Sequence, residues 1–551
     1  MPDGKTRFLI VTGGVISGLG KGVATASIGN VLQAQGYKVS IVKIDPYINI
    51  DAGTMRPTEH GEVFVTGDGG ETDQDIGTYE RFLDQDVSRL HNITTGQVYR
   101  RVIEMERNLE FGGRCVEVIP HIPQEVERRL KAVAQGLDFL LVEVGGTVGD
   151  YQNVLFLEAF RAMHLRGDPI AFIHVVYLPI PGNLGEMKTK PAQHSVRLLN
   201  ETGIQPTFII ARASRPVDDV RKEKISIFCN VRKDHVIADP DTPSVYEMPL
   251  VFERQGFTRK ILEHFNLPYQ EGKMQPWEGV VRTIAQAQRQ VRIGIVGKYF
   301  DIGDFTLEDS YLSVIEAIKH ASWQQGAKPR IQWIDSKEFE RDSSRLRSLE
   351  EYDGIIVPGG FGSSGVEGKI GAIRHCREQG IPYLGLCYGM QLAVVEYARN
   401  ACGLEGANTT ETGPAPHPVI DVLPEQAQLL AAKNYGNTMR LGNCTAVLAP
   451  GTLVHRLYGR DRVVERHRHR YEVNPAYIPQ LEAKGAIFSG RSPDRRLMEF
   501  FELKGHPFFV GTQAHPELLS RPQRPHPLFL GFIQAALARQ QPAARRVPAA
   551  A

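Results

Sequence analysis

Cysteine is scarce in this chain, six residues in 551, and no C-x-x-C pair occurs. That excludes a disulfide framework and a thiolate zinc site, and it fits reduced thiols in a cytoplasmic protein. No apolar run approaches the roughly 20 residues of a membrane span. The first apolar run opens at Phe8, so no secretory leader is expected ahead of it. Formal net charge is only +1, which argues against a dedicated nucleic-acid or membrane-surface binder. Local lysines still leave room for anionic small molecules. No internal repeat is present. What remains is an ordinary globular composition, 42% hydrophobic and 23% charged.

Short apolar runs alternate with helical patterns through the first half. They include FLIVT (8–12), KVSIVKI (38–44), FLLVEV (139–144), IAFIHVVYL (170–178) and TFIIA (207–211). Such alternation predicts parallel βαβ units. Residues 265–290 are polar, with two prolines and a helical end, and read as a linker. A new strand opens at VRIGIVGKY (291–299), and alternation resumes through GIIVPGG and PYLGLC to FFVGTQAHPE (508–517). The expectation is an α/β protein of two doubly wound domains, 1–268 and 291–540, with a linker at 269–290 and a disordered tail at 541–551.

The stretch GGVISGLGKG (13–22) follows the first strand. Gly13, Gly14, Gly18 and Gly20 allow backbone amides to close round a polyphosphate, and Lys21 and a helix N-terminus then face its oxygens. The spacing Gly14-x5-Gly20-Lys21 is one residue longer than the usual phosphate loop, and Gly22 stands where a hydroxyl residue is usual. A glycine-rich turn with a surface lysine is the alternative. Context favours the phosphate reading. Lys43 ends the second strand, at the carboxyl edge where α/β ligands bind. Asp75 lies in an acidic stretch and Glu143 ends the strand FLLVEV, so both are candidate magnesium ligands. A helix cap or solvated surface is the plainer reading for a single carboxylate, but a charge at Glu143 needs a partner.

In the second half, GLCYGMQ (385–391) places Cys387 in a G-x-C-x-G frame after a strand. That is a nucleophile elbow, which exposes the thiol and offers the Tyr388 amide to an oxyanion. The helix N-terminus favours thiolate. Gly360, in PGGFG after another strand, is placed to complete the oxyanion hole. His515 would move protons and Glu517 would orient it. A lone cysteine is more often a small buried apolar residue, but the glycines around Cys387 set it apart; Cys115, Cys229, Cys376, Cys402 and Cys444 lack such framing and are read as structural. The run ERHRHRYEVN (465–474) invites a metal or nucleic-acid reading, yet its alternation predicts a strand with Arg466, Arg468 and Arg470 on one face and histidines on the other. An arginine holding a substrate carboxylate fits better.

Taken together, these residues resemble the CTP synthase family, over nearly the whole chain. Further matches are KIDPYINIDAGTM, HGEVFVT, VIPHIP, EVGGTVGD, KTKPAQHSV, FCNV and TMRLG. The resemblance implies a phosphate-loop synthetase domain with a parallel sheet, joined to a flavodoxin-like class I glutaminase with a mixed sheet. It implies that ATP phosphorylates the 4-oxygen of UTP, and that ammonia channelled from glutamine displaces the phosphate to give CTP. ATP falls to Ser17, Gly18, Leu19, Gly20, Lys21, Gly22, Lys43 and Asp75, with Mg2+ on Asp75 and Glu143. The pyrimidine nucleotide falls to Ser17, Glu117, Asp150, Tyr151, Gln152, Lys188, Thr189, Lys190, Gln193 and Lys224, in part across a subunit interface. Gln391, Glu411 and Arg470 hold the glutamine, and His60 matches a histidine near the ATP region. A homotetramer built as a dimer of dimers, stacking into filaments and CTP feedback belong to the same implication, with no nucleic acid and no membrane.

Four positions depart from the family pattern. Glu117 replaces Gln, and Gln152 replaces Glu. A carboxylate cannot donate to a uracil carbonyl as an amide can, so a modified pyrimidine nucleotide is an alternative substrate. A non-catalytic, filament-forming or regulatory paralogue is another, opposed by the intact Lys21, Lys43, Asp75, Glu143, Cys387, His515 and Glu517. Ser364 stands where the family has an arginine tied to GTP activation, which predicts weak or absent stimulation by GTP. Ala514 replaces a phenylalanine beside the triad.

Overall fold

The computed structural model describes residues 5–14, 16, 18–182, 185–297, 301–302, 305–306, 308–360, 362–422 and 439–540. Its contacts divide the chain into two units, Met1–Thr54 with Thr72–Arg282, and Met55–Glu71 with Thr283–Ala551.

In the first unit, strands β1 (Arg7–Gly13), β2 (Val39–Asp45), β3 (Asn92–Thr94), β4 (Phe139–Val144), β5 (Ile170–Tyr177), β6 (Phe208–Ala213) and β7 (Val236–Pro240) form one sheet in the order β3-β2-β4-β1-β5-β6-β7. Every pairing is parallel. The central strands β1, β2 and β4 are buried along their whole length, as helices on both faces require, and this is why they read as largely apolar runs, interrupted near their carboxyl ends by Lys43, Asp45 and Glu143. Helices that matter below are α1 (Lys21–Ala34), α2 (Gln74–Leu83), α3 (Lys190–Glu201) and α4 (Asp219–Cys229). The edge strands β3 and β7 carry no apolar run that announces them.

Among the described residues, the main sheet of the second unit has nine strands: β8 (Arg289–Gly297), β9 (Ala327–Asp335), β10 (Gly354–Val357), β11 (Tyr383–Leu386), β12 (Arg440–Leu448), β13 (Arg462–His469), β14 (Ala486–Arg491), β15 (Met498–Leu503) and β16 (Phe509–Thr512). They lie in the order β9-β8-β10-β11-β16-β15-β14-β12-β13. The first five are parallel. From β16 onward the pairings are antiparallel, so the sheet is mixed. Helices α5 (Val366–Gln379) and α6 (Tyr388–Asn400) pack against its parallel half.

Two segments sit differently from a simple two-domain division. Residues 269–282, within the expected linker, pack into the first unit. Trp277 is buried beside Phe82 and Tyr246, with ring centroids 5.4 and 6.1 Å away, and its indole N–H donates to the Tyr246 carbonyl at 2.8 Å. Met55–Glu71, which the sequence groups with residues 1–268, packs instead within the second unit. There the Glu62 carboxylate accepts from the Ser313 amide at 2.9 Å, and the Gly67 carbonyl accepts from the Asn443 amide at 2.8 Å. Gly442 has φ 79°, and a Cβ on it would lie 2.5 Å from the Gly69 nitrogen, so only glycine permits this approach. The tail at 541–551 lies outside the described residues.

Candidate active site

The phosphate-loop candidate starts where β1 ends. The Gly14 amide donates to the Val175 carbonyl at 3.2 Å. Gly20, at φ 81°, caps α1 without a side chain. Lys21 folds back over the loop and donates to the Gly146 carbonyl at 2.6 Å. A Cβ on Gly13 would lie 2.6 Å from the Lys21 Cδ, so this glycine is needed for that fold-back. Burial lowers the Lys21 pKa, with Glu143 opposing it. Ser17 lies outside the described residues.

Lys43, on β2, bridges two carboxylates. Its ammonium donates to Asp75 at the start of α2 and, at 3.0 Å, to Glu143 on β4. Burial alone would depress its pKa, but the two carboxylates outweigh it and hold Lys43 well above its usual 10.5. The same ammonium keeps Asp75 low against the pull of burial. Glu143 is only 1% exposed, and the Lys43 ammonium is the partner its buried charge needs. Its second oxygen accepts from the Tyr79 hydroxyl. Tyr79 lies four residues beyond Asp75 on α2, a same-face spacing that would have found it. Burial pushes neighbouring Asp73 up to about 8 and Asp45 up to about 6.

Gly22 has a local explanation here. A Cβ on it would lie 2.4 Å from the Asp75 Oδ1. The space beside the lysine that a hydroxyl residue would fill is taken by a carboxylate. Asp75 and Glu143 already share one cation, the Lys43 ammonium, and so fit a divalent ion chemically. Among the described residues no cluster of three or more His, Cys, Asp or Glu side chains has metal-holding geometry. A magnesium here would therefore draw its remaining ligands from phosphate and water oxygens.

The nucleotide candidates are spread over several elements. Glu117 is exposed ahead of the helix Val118–Val133, and its amide donates to His121 Nδ1 at 3.0 Å. Asp150 accepts from the Thr147 amide and hydroxyl at 3.0 and 2.8 Å, which shapes the turn carrying exposed Tyr151 and Gln152. Lys188 pairs with Glu186 at 2.6 Å. Thr189 caps α3, Lys190 opens it, and Gln193 donates to the Thr189 hydroxyl at 3.1 Å. Lys224, on α4, lines an open depression of about 400 Å³ with Val220, Ile227 and Phe228.

The second unit builds the thiol site. Cys387 joins β11 to α6 at φ 49° and ψ −99°, a strained conformation for a side-chain-bearing residue and the expected mark of an elbow. Its neighbours are glycine for steric reasons. A Cβ on Gly389 would lie 2.1 Å from the Val357 carbonyl oxygen, and one on Gly385 2.8 Å from the Gly389 carbon. Cys387 donates from its amide to the Thr512 carbonyl at 2.7 Å, and its Sγ lies 3.8 Å from both the Arg468 carbonyl oxygen and the Gln513 Nε2. His515 Nδ1 hydrogen-bonds Glu517 Oε1 at 2.7 Å. Burial pulls the imidazole pKa down, but Glu517 and the hydrogen-bonded Cys387 sulfur outweigh it and hold it well above 6.5. The geometry thus assembles thiol, imidazole and carboxylate from two separate stretches of chain, the elbow at Cys387 and the turn carrying His515 and Glu517.

Around them, Gly359 abuts His515, since a Cβ there would lie 2.8 Å from the ring Cε1, and Gly360 follows it. Tyr388 donates from its hydroxyl to the Gly362 carbonyl at 3.1 Å, and Glu411 accepts from the Gly362 amide at 2.8 Å. Gln391 is buried and donates to the Tyr471 carbonyl at 2.8 Å. Sequence reasoning passed over Lys369, on α5, whose fully buried ammonium lies 5.4 Å from the Tyr388 ring centre.

The arginine–histidine run is a strand only as far as His469. Arg466 donates to the Val65 carbonyl at 3.1 Å and Arg468 to Glu71 at 2.7 Å. On the opposite face, His469 pairs with Glu472 at 2.7 Å, and Arg440 bridges Glu472 and Glu499 at 2.9 Å each. Arg470 does not continue the alternation, because it sits in the bend between β13 and the strand Tyr471–Val473.

Residues 7–267 match the family model described as CTP synthase N-terminus, and 306–535 match glutamine amidotransferase class-I. A CTP synthase of Methanothrix thermoacetophila is 51% identical over 535 residues, covering 96% of each chain. The chain belongs to the CTP synthase family. A second CTP synthase, from Methanocaldococcus jannaschii, is 49% identical over 539 residues and covers 96% of this chain and 98% of its own. Among solved structures, the glutaminase domain of Trypanosoma brucei CTPS with bound acivicin is 35% identical, covering 46% of this chain and 96% of its own, with a TM-score of 0.42. Glu117, Gln152 and Ser364 are all exposed, whereas Ala514, next to His515 in the chain, is buried.

Proposed function

We propose that this chain converts UTP to CTP by ATP-dependent amination at C4, with nitrogen taken from glutamine. The observation that carries the reading is the assembled Cys387–His515–Glu517 site in a chain whose other half is a CTP synthase synthetase unit. The modified-nucleotide and non-catalytic alternatives are not favoured.

In the glutaminase half, His515 takes the Cys387 proton, and the thiolate attacks the glutamine side-chain carbonyl. The oxyanion forms beside the Tyr388 and Gly360 amides. Collapse of that intermediate breaks the C–N bond, and protonated His515 returns its proton to the leaving ammonia. Water, deprotonated by His515, then hydrolyses the thioester to glutamate. Glu517 keeps the imidazole oriented and stabilises its charged form. Glu411 and Arg470 hold the amino-acid end of glutamine, and Gln391 supports the pocket wall.

The synthetase half activates UTP. Lys21 and Lys43 face the ATP phosphates, the UTP 4-oxygen accepts the γ-phosphoryl group, and ammonia displaces phosphate from C4. Mg2+, when bound, would be held by Asp75 and Glu143 and would neutralise charge on the phosphates. Lys188, Lys190, Gln193 and Lys224 hold the pyrimidine nucleotide's phosphates, with Glu117 and Asp150–Gln152 towards its base and ribose. The proposal includes a cytoplasmic homotetramer under CTP feedback. The test is incubation of pure protein with ATP, magnesium, glutamine and UTP, read by mass spectrometry. CTP and glutamate in equal amounts are expected, and glutamate without CTP would contradict the reading.

A further inference from the structure

A buried file of polar side chains crosses the first unit and takes no part in the steps above. The Thr12 hydroxyl, on β1, lies 2.8 Å from His174 Nδ1 on β5, and His174 Nε2 lies 2.6 Å from the Ser195 hydroxyl on α3. All three residues are buried, His174 completely. Gly14, the second glycine of the phosphate loop, rests on this file. A Cβ added there would lie 1.5 Å from the Ser195 oxygen and 3.3 Å from His174 Nε2. Burial, and then the nearby Lys21 charge, push the imidazole pKa down to about 3, so the ring stays neutral. A neutral ring has one donor and one acceptor nitrogen, and each meets a hydroxyl that can take the complementary role.

We propose that His174 is a positioning residue for the phosphate loop, joining Thr12 to Ser195 so that Gly14 is held against α3 and the loop is preset for phosphate. This rests on the reading that the loop binds ATP. It adds a link to the helix whose first turns carry Lys190 and Gln193.

The test uses full-length protein with ammonia as nitrogen donor, so that glutamine chemistry plays no part, and measures KM for ATP and kcat. His174→Gln keeps an amide near the Nε2 position, His174→Asn reaches only towards Thr12, and Ser195→Ala removes the last hydroxyl. Loss of one buried hydrogen bond corresponds to about fivefold in an equilibrium constant. Ser195→Ala and His174→Asn are therefore expected to raise KM for ATP about fivefold with kcat little changed. His174→Gln, which keeps the Ser195 bond but gives up the Thr12 bond, should raise KM by a similar factor, about fivefold, and the His174→Asn/Ser195→Ala double variant should be no worse than either single. A purely structural defect lowers kcat through the active fraction and leaves KM unmoved. Unmoved KM in Ser195→Ala, or fully additive losses in the double variant, overturns the proposal while ATP-dependent amination by the wild type stands. Glutamine hydrolysis without any ATP-dependent amination in the wild type overturns the ATP reading and this proposal with it.

Discussion

Replacing Glu517 by glutamine keeps its size and removes its charge. The structure fixes how much that should matter. Glu517 Oε1 is 2.7 Å from His515 Nδ1, a separation at which bare attraction would be about 6 kcal/mol at an effective dielectric constant near 20. The realised loss is smaller, because the amide still reaches the ring and the Cys387 sulfur still favours its charged form. A charge-assisted hydrogen bond contributes about 1.5–3 kcal/mol, so glutaminase kcat/KM should fall roughly 10- to 100-fold. An amide can also donate to Nδ1, which leaves the proton on Nε2, the nitrogen that must act as base. The pH dependence has a definite sign. His515 is held above 6.5 in the folded protein, so its contribution to stability is complete below pH 6.5 and fades as pH rises through the raised folded value. The variant should therefore be most destabilised on the acid side and approach wild type in alkali. Glutamate release followed from pH 6 to 10, alongside denaturant melts at the two extremes, reads both effects. Activity within about twofold of wild type across that range would refute the role given to Glu517.

Gly22→Ala places a methyl 2.4 Å from the Asp75 carboxylate, and ammonia-dependent amination should drop at least about tenfold, an estimate from the sensitivity of aligned sites to ångström-scale shifts, while glutamine hydrolysis persists. Lys43→Met strips the shared cation from Asp75 and from Glu143, which is 1% exposed; the unpaired charge should cost about 3–5 kcal/mol in urea melts, partly restored by adding Glu143→Gln. Ser364 stands in the exposed turn before α5, where the family resemblance leads one to expect an arginine tied to GTP activation, so glutamine turnover should be little changed on adding GTP. Strong stimulation would show that another residue serves the activator.

The most legible parts of the sequence were those with one dominant local cause. Buried parallel strands such as Phe139–Val144 read as apolar runs broken only by a functional charge, here Glu143, and G-x-C-x-G announced an elbow because close backbone approach at Gly385 and Gly389 leaves no room for a side chain. The edge strands Asn92–Thr94 and Val236–Pro240 gave no such signal, being short and partly polar. The transfer of Met55–Glu71 to the second unit was hidden because its partners, Ser313, Asn443, Arg466 and Arg468, lie hundreds of residues away. Local pattern carries no record of such pairs. The same holds for the contacts of Lys43 with Asp75 and Glu143, and for those of His174 with Thr12 and Ser195. Arg470 failed differently, since period-2 reasoning ran one residue past the end of its strand.

The claim that two chemistries share one nitrogen meets its most direct test in Cys387→Ala, assayed for CTP formation with glutamine and again with ammonium chloride at alkaline pH. The expected result is no CTP from glutamine and near wild-type CTP from ammonia. CTP formed from glutamine by the variant, or no CTP from either nitrogen source in a folded variant, would contradict it.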